Sequence, residues 1–174
     1  MEMAYFTTIH NSPVGKLLLT ANSNALTGVY FYGKDATFIA GKKAGHEERS
    51  DFPIFQEAEA QLQEYFAGTR QQFNLALAFK GTDFQKKVWN ALFEVPFGQT
   101  ASYLQIAELV GDTKAVRAVG LTNGKNPISI ICPCHRVIGS NGKLTGYGGG
   151  LPNKEWLLRH EGAWPKGPIQ TSLF

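Results

Sequence analysis

Short apolar runs alternate with turn-forming residues over the first third of the chain. Ala4 to His10, Lys16 to Ala21 and Leu26 to Tyr32 are separated by Asn11-Ser12-Pro13 and Asn22-Ser23-Asn24. Runs of this length, closed by Asn, Ser and Pro, predict antiparallel β-hairpins. Residues 34–52 are polar and predict a mobile loop. Between 54 and 67 the apolar positions Phe55, Ala58, Leu62, Tyr65 and Phe66 fall on one helical face, with Gly68 as the stop. Leu75 to Phe79 reads as one more strand.

From Gly81 onward the pattern becomes that of short helices with individual start signals. Thr82-Asp83-Phe84-Gln85 and Ser102-Tyr103-Leu104-Gln105 have the capping-box form, a hydroxyl followed three residues later by glutamine. Helices are expected from near 83 and near 102. A third is expected after Thr113, running through Ala115, Val116, Ala118, Val119 and Leu121 to Gly124, and a fourth from Pro152 to Gly162. The boundary falls between Gly68 and Gly81, giving an N-terminal α/β part (1–80), a C-terminal part (81–165) and a tail (166–174). The predicted class is α+β. The segments Ser102–Val110 and Lys114–Asn123, joined by Gly111-Asp112-Thr113, have the length of a helix-turn-helix and equally of an ordinary helical hairpin.

Charge changes this picture modestly. The formal net charge is +3, divided as −1 over residues 1–81 and +4 over 82–174, so the second half is the better candidate for meeting a polyanion. At 174 residues and 43% hydrophobic content the chain can bury a real core. Neither a basic, apolar leader nor a membrane-length apolar run is present, so a soluble cytoplasmic protein is expected.

The candidate chemistry lies in Cys132-Pro133-Cys134-His135-Arg136-Val137, which holds both cysteines of the chain. Two positions apart, they are too close for an ordinary structural disulfide. A nucleophilic cysteine needs its thiol pKa lowered by a helix start, a histidine or a cation. Pro133 opens a helical turn, and His135 and Arg136 follow Cys134 directly. Two bland alternatives stand beside this: an inert buried cysteine, and a metal held by Cys132, Cys134 and His135 or His160. The spacing matches no common zinc pattern.

Several motifs at matching spacing carry a resemblance. These are Pro133-Cys134-His135-Arg136-Val137, Asn126-Pro127 before it, Tyr147-Gly148-Gly149-Gly150 and Glu155 to Gly162 after it, and upstream Pro96-Phe97-Gly98, Ser102-Tyr103 and Arg117-Ala118-Val119-Gly120. Residues 82–163 closely resemble the O6-alkylguanine-DNA alkyltransferases, without gaps. The resemblance implies a ribonuclease H-like N-terminal domain and a winged helix-turn-helix-type C-terminal domain. It implies direct-reversal repair, with the alkyl group of O6-alkylguanine, or of O4-alkylthymine, passing irreversibly to Cys134 once per molecule.

In that reading His135 is the general base acting through a water, Glu161 orients it, Asn126 braces the active-site turn and Tyr103 protonates the departing base. Arg117 fills the stack that a flipped base vacates, while Ala115, Ala118 and Gly120 allow close approach in the minor groove. Ser102, Arg136, Val137, Tyr147 and Gly148 complete the substrate and DNA contacts. No metal or organic cofactor is implied. The partner is double-stranded DNA, bound largely without regard to sequence by a monomer. Cys132 stands where the family usually has an aliphatic residue. Gly148 stands where some relatives carry serine, which implies a roomier pocket that accepts adducts larger than methyl. With cysteine rather than tryptophan at 134, the chain departs from the alkyltransferase-like lesion binders. The competing functions are a non-reacting alkylguanine-binding protein and a Cys-His hydrolase.

The chain closes on Gln170-Thr171-Ser172-Leu173-Phe174. Gln170, Leu173 and Phe174 resemble the terminal peptide by which bacterial repair proteins dock on the DNA sliding clamp. Folding of Leu173 and Phe174 onto the protein's own core is the competing reading.

Overall fold

The computed structural model describes residues 4–9, 11–33 and 45–164, and the chain divides into two compact units, Met1–Lys80 and Gly81–Phe174. Most of the polar segment 34–52, namely 34–44, lies outside the described residues, as do His10 and the tail residues Gln170, Leu173 and Phe174.

In the first unit, β1 (Tyr5–Ile9), β2 (Leu17–Ala21) and β3 (Leu26–Phe31) form the expected antiparallel meander. Its register is fixed by Tyr5 opposite Ala21 and Leu17 opposite Phe31. The sheet runs β3-β2-β1 with a fourth strand outside β1, and β2 is buried along its whole length, as the run Leu17-Leu18-Leu19 requires. Helix α1 (Pro53–Phe66) starts with its proline in the first turn and buries Phe55, Ala58, Leu62 and Tyr65. Each such large apolar side chain contributes about 1.5–3 kcal/mol by leaving water. Gln61 is also buried, but its amide is satisfied by the backbone of Asn74 at 2.9 and 2.8 Å.

Two sequence expectations are changed here. Glu47–Glu48, expected in a loop, form β4, which pairs in parallel with Tyr5 and Phe6 at the sheet edge. Exposed charges are well tolerated there, because an edge strand has one open side. The expected strand Leu75–Phe79 shrinks to one bridge at Leu77, with Leu26 N–H donating to Ala76 (2.8 Å) and Ala78 N–H donating to Leu26 (2.9 Å). The segment meets β3 only at that strand's first residue, so no ladder propagates.

The second unit follows its cap signals closely. Helix α2 (Asp83–Leu92) begins at the Thr82/Gln85 capping box, and α3 (Tyr103–Val110) at the Ser102/Gln105 box. Gly111 ends α3 in the left-handed conformation, φ 89°. Helix α4 (Val116–Gly124) starts slightly later than expected. Ala115 is its N-cap without a side-chain bond, and Asp112 instead accepts from Lys114 N–H at 3.0 Å in the preceding turn. A 3-10 turn (Cys134–Arg136) leads into β6 (Val137–Ile138), which lies parallel to β5 (Ala101–Ser102). Helix α5 (Leu151–His160) closes the unit. Trp89 donates its indole N–H to Thr122 O at 3.0 Å, tying α2 to α4 beneath the cysteine segment. Among the described residues no helix is long and apolar enough to cross a membrane.

Candidate active site

Cys134 sits at the first position of the 3-10 turn and is 3% exposed. The segment before it is bent sharply. Ile130, a buried β-branched residue, has φ 72°, a conformation that costs about 1–3 kcal/mol and persists only where neighbours impose it. Asn126 supplies that constraint. Its Oδ1 accepts from Ile128 N–H at 3.0 Å and its Nδ2 donates to Cys132 O at 2.8 Å, clamping both ends of the bend. Asn123 on α4 donates to Cys134 O at 3.3 Å.

Burial pushes the Cys134 thiol above its ordinary pKa, while the Asn126 amide, the Lys154 charge and the backbone N–H groups of Cys134 and His135 oppose that rise. The sulfur is therefore shielded from water yet surrounded by groups that favour its anion. Cys132 differs: it is buried, its thiol is pushed well up, and its Sγ points at Trp89 O at 3.5 Å, as suits an apolar filler.

His135 is fully buried, and its Nε2 lies 2.7 Å from Glu161 Oε1. Facing a carboxylate, Nε2 carries the hydrogen, which leaves Nδ1 with the lone pair. Nδ1 is buried and has no protein partner. Burial holds the imidazole below its ordinary pKa, against the pull of Glu161, so the ring is neutral and able to take a proton.

Glu161, just past the end of α5, binds Arg136 as well. Arg136 Nε donates to Oε2 at 2.8 Å and its terminal nitrogen donates to Oε1 at 3.0 Å, while another N–H reaches Val95 O at 2.8 Å. Burial alone raises the Glu161 carboxyl, but His135 and Arg136 outweigh it and hold the group well below the usual carboxylate range. The arginine neutralises the carboxylate in part, which keeps the histidine from becoming a permanent imidazolium. Gly98 closes the far side: with φ 80°, it lies where an added Cβ would come within 3.1 Å of Glu161 O. This explains a glycine in Pro96-Phe97-Gly98.

Of the other sequence-selected residues, Tyr103 begins α3 and its hydroxyl shares a 2.6 Å hydrogen bond with Thr145 Oγ1. Its pKa is raised by burial, with Thr145 opposing and the Cys134 charge adding to the rise, so the phenol stays protonated near the thiol. Gly120 on α4 faces the Tyr103 ring, 3.7 Å from the position of an added Cβ. Arg117 and Ala118 are exposed on the outer face of α4, and Ala115 is half-buried at its start. Arg117 pairs with neither Asp112 nor Glu108 in any ion pair of the described residues.

Ser102 and Val137 are buried, the first as the cap of α3 and the second in β6. Arg136 likewise turns inward to Glu161 rather than outward as a surface cation. Tyr147 is half-buried, and Gly148 is exposed with open space around an added Cβ. Among the described residues no group of three His, Cys, Asp or Glu side chains is arranged as a metal would require.

Lys154 and Thr145 also belong to the site, although no sequence motif marks them. Lys154 is fully buried and donates from Nζ to Val137 O at 2.6 Å and to Thr145 O at 3.1 Å. It shares a helical face with Leu157, Leu158 and Glu161 at spacings of three, four and seven, and that periodicity was a usable signal.

Comparison with known proteins agrees with this geometry. Residues 83–163 match the family model described as 6-O-methylguanine DNA methyltransferase, DNA binding domain, and residues 4–79 match that family's ribonuclease-like domain. A methylated-DNA–protein-cysteine methyltransferase of Methanosarcina acetivorans is 50% identical over 156 residues, covering 89% of this chain and 97% of that protein. One from Mycobacterium tuberculosis is 44% identical over 172 residues, 99% of each chain. The crystal structure of M. tuberculosis OGT in complex with DNA superposes with TM-score 0.81 at 43% identity, over 98% of this chain and 99% of that one. The chain belongs to the 6-O-methylguanine DNA methyltransferase family.

Proposed function

We propose that this protein repairs DNA by moving the alkyl group of O6-alkylguanine, and of O4-alkylthymine, onto Cys134 in a single displacement. The observation that carries the reading is the buried thiol next to a neutral histidine whose Nε2 is fixed by Glu161 and whose Nδ1 is left as a base. His135 takes the thiol proton, relayed by one water. The sulfur attacks the alkyl carbon, the S–C bond forms as the C–O6 bond breaks, and the electron pair goes to O6. Tyr103, kept protonated, gives its proton to the ring so that guanine leaves neutral. A thioether is stable to water and to a neutral imidazole, so each molecule acts once.

Double-stranded DNA is the partner, consistent with the DNA-bound M. tuberculosis relative. A stacked base cannot reach a buried sulfur, and extruding one costs a few kcal/mol, roughly. Exposed Arg117, with Ala115, Ala118 and Gly120 beside it, suits entry into the minor groove and filling of the vacated stack. The protein acts as a monomer in the cytoplasm, on whatever sequence surrounds the lesion. The open space at Gly148 accommodates adducts larger than methyl, for which a benzylguanine rate far below the methylguanine rate is the contrary result. The tail residues Gln170, Leu173 and Phe174 dock on the DNA sliding clamp. Equal retention on purified clamp by the intact chain and by one lacking residues 170–174 would overturn that assignment.

Mass spectrometry after incubation with methylguanine duplex tests the main reading. One added methyl on the peptide carrying Cys134, and none in Cys134→Ser, is expected. Binding without a mass change would instead indicate a lesion sensor, and continued turnover a hydrolase.

A further inference from the structure

Lys154 is the buried charge that the mechanism above leaves unused. It sits on the inner face of α5, fully buried, and no carboxylate pairs with it among the described residues. An unpaired buried ammonium is expensive, since desolvation costs several kcal/mol, roughly, unless other groups compensate. Packing alone would be served better by a leucine or methionine. The fold instead keeps the charge and builds polar contacts around it.

Those contacts join two parts of the site. Nζ donates to Val137 O, three residues past Cys134, and to Thr145 O, in the loop that precedes α5. Thr145 in turn bonds the Tyr103 hydroxyl through its own Oγ1. One ammonium thus ties the strand leaving the nucleophile to the residue that holds the proton donor. An ammonium has three N–H donors, and two are accounted for by these carbonyls.

The charges that face Lys154 are few. Arg136 is turned onto Glu161, so the two largely neutralise each other. His135 is neutral and bound to the same carboxylate. Cys132 lies behind Cys134 against Trp89. Cys134 and Lys154 are coupled through charge: the lysine favours the thiolate, and a thiolate opposes the lowering that burial imposes on the lysine. The same positive charge also discourages a proton on His135.

We propose that Lys154 is a positioning residue for alkyl transfer, its ammonium latching the Thr145 loop, and with it Tyr103, to the strand that leaves Cys134, with its charge on hand to favour the thiolate as it forms. This rests on the transfer reaction proposed above and assigns it a third buried charge besides Arg136 and Glu161. Burial holds Lys154 at about 8, below its ordinary 10.5, with Cys134 opposing, so the charge is present at neutral pH.

The test uses full-length Lys154→Met, similar in length and uncharged, and Lys154→Arg, which restores the charge. Affinity for unmethylated duplex and the single-turnover transfer rate at saturating methylguanine duplex are measured from pH 6 to 10. For Lys154→Met, DNA affinity should stay within about two-fold, while transfer at neutral pH falls by about 100-fold. The rise of rate with pH should move upward by about one unit or more as thiolate becomes harder to form. Lys154→Arg should recover most of the lost rate and restore the profile. A uniform loss with an unmoved profile would reduce Lys154 to a packing role and overturn the proposal.

A second measurement does not depend on those variants folding. In the unmodified chain the Lys154 Nζ, followed by NMR of labelled lysine at about pH 7, should show an ammonium whose protons exchange slowly, because Val137 O and Thr145 O hold them. A neutral amine, or ammonium protons exchanging as fast as those of an exposed lysine, would also overturn the proposal. If the unmodified chain transfers no methyl at all, the reaction itself is wrong; if it transfers and these tests fail, only the role of Lys154 is.

Discussion

The two units bury their side chains by different rules. In the first, the buried polar side chains among the described residues are Thr7, Thr20 and Gln61, none of them charged, with a core of Leu17, Leu18, Leu19, Leu26, Val29 and Leu62. In the second, His135, Arg136, Lys154 and Glu161 are all buried, together with Asn123 and Asn126. An aliphatic core gains stability with each buried group, whereas a buried charge must be matched in geometry merely to break even. The concentration of matched charge around one thiol therefore marks where stability has been exchanged for reactivity. The first unit obeys packing alone.

The contrast can be broken most forcefully at Glu161. Glu161→Ala strands Arg136 and His135 without their counter-charge, and stability to urea should drop by about 3–5 kcal/mol. Transfer by the remaining folded protein should fall by roughly 10² or more, because His135 loses its tautomer. The matching cut in the first unit is Leu19→Ala. There a cavity should cost about 2–5 kcal/mol, with the transfer rate of folded protein at saturating DNA unchanged. A transfer defect in Leu19→Ala, measured where the variant is fully folded, would erase the distinction drawn between the units.

Acid should expose the same asymmetry. The Glu161 carboxyl is held well below the usual range by His135 and Arg136 despite burial, so its contribution is complete above the unfolded value of 4.5 and is lost as pH falls further. His135, lowered by burial, adds to the loss once pH drops through 6.5, because the unfolded chain takes up that proton first. The isolated second unit is not needed to see this: local unfolding near Cys134 on acidification, followed by hydrogen exchange, should precede loss of protection in β2. Lys154, also lowered by burial, acts with the same sign on the alkaline side, where stability rises from about 8 toward 10.5 as the folded chain sheds the proton that the unfolded chain keeps. The smallest expected effect is at a cap: Ser102→Ala removes the bond to Gln105 N–H, at 3.2 Å, and should cost about 1 kcal/mol.

What was legible in the sequence was what is encoded locally. Capping boxes at Thr82 and Ser102 placed α2 and α3 because the bonding partners lie three residues apart. The hairpins were readable for the same reason. The parallel edge pairing of Glu47–Glu48 with Tyr5–Phe6 and the single bridge at Leu77 depend on distant chain meeting by tertiary arrangement, and no local signal predicts them. The site divides likewise. Cys134 and His135 stood out by adjacency, and Glu161 by resemblance, but the Arg136–Glu161 pair spans 25 residues, beyond the reach of any local signal. Lys154 was hidden by its residue type, since a lysine on a helix ordinarily reads as solvated even when its spacing places it among Leu157, Leu158 and Glu161.

The most direct test of the account is a count of transfer events. A fixed amount of the chain is titrated with increasing methylguanine duplex, and restored guanine and methylated Cys134 peptide are quantified together. Both should plateau at one per molecule and rise in parallel. Restored guanine continuing beyond one equivalent, or appearing without methyl on Cys134, would contradict a buried thiol consumed by its own reaction.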